Sequence, residues 1–223
     1  TLFRSNIYIA ASQSVTKKGT ISPERTRLLR IRRVGHTFFQ QGSIQLLDAL
    51  HASARTRPRE SWSRFILSGI ADRTIDLEAM AWREGRLLLG FKAPLSGGET
   101  VIIALSDISA MFRDRAIDPG KVSLFTVVLR DTVSGAQHAV SDMLFVGSDL
   151  YLLSCPRSAK AEANRAPGCL WVCRADGSPQ LLRRFDNSRP EGLAYNPVRD
   201  RFLVTFDNGN GRHSEIIIFP MPR

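Results

Sequence analysis

The chain has 223 residues, of which 43% are apolar and 23% charged, the profile of a soluble globular protein and not of a disordered or fibrous one. Its 31 Lys and Arg against 21 Asp and Glu give a formal net charge of +10, which excludes a strongly acidic binding protein. No apolar run approaches the roughly 20 residues that a spanning helix needs, and no signal-peptide core is found.

The charge is unevenly spread. Residues 1–64 carry 12 Lys/Arg and 3 Asp/Glu, whereas residues 65–223 carry 19 and 18. Arg25, Arg27, Arg30, Arg32 and Arg33 have the charge to face phosphates. They lie in a strand-like stretch with no aromatic platform interleaved, however, and read as a solvated strand face in preference to a nucleic-acid site.

Taken in chain order, Thr1-Leu2-Phe3-Arg4-Ser5 matches one reading frame of a common sequencing adapter. Residues 1–5 are therefore expected to be an assembly scar, and 6–223 a single domain incomplete at its N-terminus. Strands are expected at Ile7–Ala11 and Arg27–Val34. A helix is expected from Ser43 to Leu50, capped by Ser43, with Ile44, Leu47 and Leu50 or His51 on one face. Arg64–Ser68 then reads as a strand.

Three segments that follow share a pattern. Asp76–Trp82, Val140–Val146 and Arg189–Tyr195 each place an acid, Glu78, Asp142 and Glu191, ahead of a short apolar strand that ends on an aromatic or β-branched residue. Turns follow at 83–85, 147–148 and 196–200. A second, more apolar strand comes next: Leu87–Phe91, Leu150–Leu153 and Phe202–Phe206. Third strands are expected at Thr100–Leu105, Cys169–Cys173 and Glu215–Phe219, and fourth strands at Val122–Leu129 and Gln180–Phe185. The last unit stops after its third strand. A helix at Ser106–Phe112, with Ile108, Met111 and Phe112 on one face, is inserted in the first unit. This rhythm means antiparallel β-structure. The expected fold is all-β, a β-propeller of four-stranded blades with two short inserted helices. A β-sandwich is the rival, but it does not explain an acid recurring in successive units.

Asp76-Leu77-Glu78-Ala79-Met80-Ala81, Ser141-Asp142 and Arg189-Pro190-Glu191-Gly192-Leu193, with Ala11-Ser12-Gln13-Ser14 upstream, resemble an uncharacterised bacterial family of propeller-type domains of unknown function. That family is related in pattern to esterase- or phytase-like propellers. The resemblance runs from Asn6 over nearly the whole chain. It implies a propeller and no assigned activity. Ala79 stands where the family has glycine after the acid, and Asp142 is one carbon shorter than the flanking glutamates.

Glu78, Asp142 and Glu191 are the candidate metal ligands. Converging carboxylates repel unless a cation, a basic side chain or backbone N–H groups compensate, and an oxygen-rich set of this kind suits Ca²⁺. The alternative is that each carboxylate staples neighbouring blades by hydrogen bonds. Lys92, at the end of a second strand, and Asp207, at the start of an Asn/Gly-rich hairpin loop, are candidate ligand-binding residues. His36, His51, His138 and His213 make no metal-ligand spacing, and His138, four residues before Asp142, is the one of chemical interest. Cys155 and Cys169 flank a hairpin loop, so they read either as a bridge or as two thiols. Cys169 and Cys173 lie too far apart on one strand to pair. Two functions stand: a non-catalytic propeller that binds a small-molecule, metal or protein ligand at its channel face, and a calcium-assisted ester or phosphoester hydrolase.

Overall fold

The computed structural model describes residues 6–14, 16, 20–156, 167–174, 178–186, 188–207 and 214–221. The loop 208–213, with His213, and residues 1–5, expected to be an assembly scar, lie outside them. Four antiparallel sheets make up the described chain, each a meander whose neighbours in sequence are neighbours in the sheet. The first holds β1 (Asn6–Ala10), β2 (Arg27–Val34) and β3 (Thr37–Gln45). The second holds β4 (Asp76–Arg83), β5 (Arg86–Ser96), β6 (Glu99–Ser106) and β7 (Val122–Val127). The third holds β8 (His138–Val146), β9 (Asp149–Pro156), β10 (Gly168–Cys173) and β11 (Gln180–Phe185). The fourth holds β12 (Pro190–Asn196), β13 (Arg201–Phe206) and β14 (Glu215–Pro220). Among the described residues three α-helices and two 3₁₀ turns interrupt the strands. The chain is thus all-β in plan, and the units expected from sequence at residues 76–219 fold as separate sheets.

The chain divides into two compact units. One comprises residues 1–77, 85–87 and 103–124, the other 78–84, 88–102 and 125–223, so the strands of the second sheet are shared out between them. In the first unit, α1 (Leu46–Thr56) packs on α2 (Ser61–Ala71). One face of the first sheet receives α3 (Ile108–Asp114), whose Phe112 ring lies 6.0 Å from that of Tyr8 and beneath the Arg30 guanidinium at 4.9 Å. Gly42 permits this approach, since a Cβ there would stand 2.8 Å from the Phe112 ring.

Two expectations in this unit are corrected. The helix expected at Ser43–Leu50 begins instead at Leu46, with Gln45 as its N-cap and Ser43 inside β3. The segment Arg64–Ser68, expected as a strand, is the middle of α2. Its buried residues Trp62, Phe65, Ile66 and Gly69 recur with helical spacing, which a five-residue window centred on three apolar residues does not display. Between the helices Arg57 leaves helical geometry just before Pro58, as the steric demand of the proline ring requires. Among the described residues the inserted helices therefore number three, not two. The helix expected at Ser106–Phe112 is present as α3, capped by Asp107, whose carboxylate accepts the Ala110 N–H at 3.2 Å.

In the second unit the inner faces of the third and fourth sheets share an apolar core. Leu153, Leu170 and Val172 from one meet Phe202, Val204 and Phe206 from the other. Aromatic rings fill it: Tyr151 stands 4.8 Å from Phe202, and Phe185 5.3 Å from Phe206. Gly90 of β5 is needed for close packing in the same unit, because a Cβ would meet Ala79 at 2.9 Å and Val140 at 3.1 Å.

Candidate functional site

The first strands β8 and β12 each carry a β-bulge near their start. Val140 pairs with Ser154 and Asp142 with Leu153, which leaves Ser141 as the extra residue. Pro190 pairs with Phe206 and Gly192 with Thr205, which leaves Glu191 as the extra residue. A bulge turns its residue out of the pleat and re-aims the side chain. Counted back from the hairpin turns, Glu191 stands five residues before Asn196, Ser141 five before Val146, and Glu78 five before Arg83. The repeat therefore places Glu78, Ser141 and Glu191 in equivalent positions. Asp142 is equivalent to Ala79 and Gly192, one residue along.

That single step changes what Asp142 does. Its two carboxylate oxygens accept backbone N–H groups, Met143 at 2.8 Å and Leu193 at 2.7 Å. The second bond joins β8 to β12, so Asp142 ties two sheets together in the manner of the stapling alternative. Burial nevertheless pushes its pKa up to about 6, with the two N–H bonds acting in the opposite direction.

The glutamates have different surroundings. Glu78 pairs with Lys92 at 3.2 Å, both side chains being about three-quarters and two-thirds buried respectively. Glu191 is partly buried, and this burial raises its pKa. Lys92 opposes the rise, Glu78 and Asp207 add to it, and Arg189 opposes it. Glu78, Lys92 and Asp207, all singled out from sequence, thus act on the charge of Glu191. Asp207 enters the group because its N–H donates to the Arg189 carbonyl at 3.0 Å, holding the end of β13 beside the start of β12.

Beneath Glu191 the Pro190 carbonyl accepts two side-chain donors, the Ser141 hydroxyl at 2.7 Å and the Cys155 thiol at 3.4 Å. Cys155 lies in the same field: burial pushes its pKa up to about 11, Glu191 adds to the rise, and Lys92 opposes it. At neutral pH this thiol is protonated and a poor nucleophile. Ser141, Cys155 and Arg189 are the members of the cluster that sequence reasoning missed. Counting back from the turns was the signal that could have found Ser141. Among the described residues no group of three or more His, Cys, Asp or Glu side chains is placed to hold a metal ion.

His138 is fully buried in β8. Its Nδ1 is 2.9 Å from the Ser154 hydroxyl oxygen, which also accepts the Trp171 indole N–H at 2.7 Å. Burial depresses its pKa to about 4, so the ring is neutral at physiological pH. Nearby, the buried Asp131 accepts the N–H groups of Val133 and Ser134 and pairs with Arg184 at 3.1 Å. His36 is exposed at the β2–β3 turn and His51 is half-buried in α1. All three cysteines are free thiols. Cys169 pairs with Ser154 across β9 and β10, so it shares a sheet face with Ser154 while Cys155, the next residue, points to the other face. The bridge alternative is excluded by that register.

No family model matches the chain, and no curated protein matches it. Among solved structures, one similar chain is a GH43 endo-arabinanase from Bacillus licheniformis, 12% identical, over 86% of this chain and 85% of that one, with a TM-score of 0.30. A likeness at that level carries no inference about activity.

Proposed function

We propose that the protein is a non-catalytic β-propeller in which the second, third and fourth sheets are blades and β4, β8 and β12 their first strands. Its binding site is the cluster of Glu78, Glu191 and Asp207 around Lys92, and its ligand presents a positive charge to that cluster. The observation that carries this reading is the electrostatic balance at Glu191. Three carboxylates act together with two cations, Lys92 and Arg189, and Lys92 is already paired with Glu78. Burial is the first cause of the raised pKa of Glu191, with Glu78 and Asp207 adding to it, so a cation bound beside it would favour its ionised form. A cation completes the balance. Ca²⁺ is the simplest candidate, with waters supplying the ligands that the protein does not.

Titration calorimetry of Ca²⁺ into the protein, compared with Glu78→Gln and Glu191→Gln, tests the reading. Binding to the wild type that weakens at least about tenfold in Glu191→Gln, a loss of about 1.4 kcal/mol, supports it. Equal heats in all three proteins contradict it. Turnover of an aryl ester or aryl phosphate that disappears in Glu78→Gln overturns the non-catalytic part and gives the site to a calcium-assisted hydrolase.

A further inference from the structure

The β2–β3 hairpin has a feature that neither the core nor the acidic cluster explains. Residues 33–41 are exposed without a break. Phe38 and Phe39 are consecutive, so they point to opposite faces of the ribbon. Both are exposed, at 58% and 51%, with Val34 beside the turn at 42%. Neither face of this arm is covered by the rest of the chain's described residues. Each phenylalanine is paired across the strands with an arginine: Arg33 stands opposite Phe38 and Arg32 opposite Phe39. The Arg33 guanidinium lies 6.0 Å from the Phe38 ring centre, and its Nε donates to the Gly35 carbonyl at 2.8 Å, which bends the cation back along the turn.

The charge around the arm is of one sign. Between Glu24 and Asp48 the sequence holds five arginines and no carboxylate. Arg25 is used internally, donating to the hydroxyls of Ser12 and Ser14 at 2.9 and 2.8 Å. Arg30 is used under α3. Arg27 lies at the base of the hairpin, opposite Gln45; Arg32 and Arg33 give its outer part positive charge, and among the described residues neither enters an ion pair. The positive residues and the apolar residues thus occupy the same projecting element.

We infer that the β2–β3 hairpin is a docking arm for an anionic phospholipid surface, with Phe38, Phe39 and Val34 entering the interface and Arg32 and Arg33 meeting the headgroups. A single-stranded nucleic acid also offers negative charge and stacking partners, but it lies along one face of a sheet. A lipid interface surrounds an inserted element on all sides, which is the environment that apolar side chains on both faces of a ribbon require. The dimensions agree. The exposed strand arm from Thr37 to Gln41 extends roughly 13 Å at about 3.3 Å per residue, and interfacial elements sink about 5–10 Å into the headgroup and acyl boundary. Fixed positive charge adds attraction to anionic lipid that falls within a Debye length and weakens with salt.

The test is co-sedimentation of the full chain with vesicles of phosphatidylcholine alone and of phosphatidylcholine mixed equally with phosphatidylglycerol. It compares the wild type with Phe38→Ser/Phe39→Ser and with Arg32→Gln/Arg33→Gln. Circular dichroism checks that each variant keeps its strand content. These side chains lie outside the core, so their replacement leaves the fold intact. Binding to the mixed vesicles is expected, weaker to phosphatidylcholine alone, and lowered at least about tenfold when the two aromatic anchors are removed. The arginine variant is expected to lose most of the preference for anionic lipid. Absence of wild-type binding overturns the inference, as does binding that the phenylalanine substitutions leave unchanged. Binding to single-stranded DNA without binding to vesicles gives the arm to a nucleic acid instead. A concentration-dependent dimer lost in the phenylalanine variant, without vesicle binding, gives it to a second copy of the chain.

Discussion

His138 is buried, and although Asp131 favours its protonated form, burial keeps the ring neutral down to about pH 4. In the unfolded chain the same ring takes up a proton near 6.5. Between those values the unfolded state binds more protons, so stability falls as the pH falls, by about 3 kcal/mol for the 2.5-unit difference. Asp142 works in the opposite sense. Its pKa is raised to about 6 from an ordinary 3.8, so below pH 6 the folded state binds the extra proton and gains stability, again by about 3 kcal/mol. Over pH 4–6 the two contributions oppose each other. Urea unfolding across this range is expected to show Asp142→Asn losing stability more steeply with acid than the wild type, and His138→Asn less steeply. Parallel pH profiles for all three proteins contradict this. At pH 7 Asp142→Ala is expected to cost about 1–3 kcal/mol, because it strips the Leu193 and Met143 N–H groups of their acceptor. The residues of the site were unequally legible in the sequence. Of the residues singled out from sequence, Glu78 pairs with Lys92, and both act with Asp207 on the charge of Glu191. Asp142 does not share their place because it stands one residue past the bulge position, which Ser141 occupies in β8 and Glu191 in β12. What can be counted is the distance back from the turn, and it points to Ser141.

Gly90 shows how closely the elements are fitted. A methyl group added there meets Ala79 of β4 and both Val140 and Met143 of β8 within 3.3 Å. Gly90→Ala is therefore expected to destabilise the protein by about 1–3 kcal/mol through overpacking, read as a lower urea midpoint at unchanged slope. A midpoint equal to wild type contradicts the packing described. In the helical layer, Trp62→Ala empties the largest buried side chain of α2 and is expected to cost about 3–5 kcal/mol. The strands of the last three sheets were legible because each alternates or runs apolar between unambiguous turns, as at Gly147-Ser148 and Glu84-Gly85. The first unit was less so. Phe65-Ile66-Leu67 fits either period when read alone, and only Trp62 and Gly69 at the flanks decide for a helix. β3 was overlooked because its first half is exposed on both faces, so the burial that normally writes alternation into a strand is missing there. The same lack of burial is what marks the arm as a docking element.

At the level of the whole molecule, the excess of positive charge is confined to one end of the chain. The net charge of +10 arises almost entirely within residues 1–64, where the arginine-rich hairpin lies, while the rest is nearly neutral and carries the carboxylates of the candidate site. Because Glu191 has a raised pKa, protons and a cationic ligand compete for it. Affinity is expected to fall as the pH drops through the range in which Glu191 takes up its proton, and calorimetry over a descending pH series reads that fall directly. The central claim is that the carboxylates around Lys92 receive a cation. Thermal unfolding with Ca²⁺ and with chelator, in the wild type and in Glu191→Gln, tests it most directly. A ligand that binds only the folded state adds about 2.7 kcal/mol at a hundred times its dissociation constant. The account requires a rise in unfolding temperature that grows with Ca²⁺ concentration, reverses with chelator and is lost in Glu191→Gln. Unfolding temperatures that ignore Ca²⁺, with Glu191→Gln merely less stable, would show that these carboxylates hold the sheets together and bind no cation.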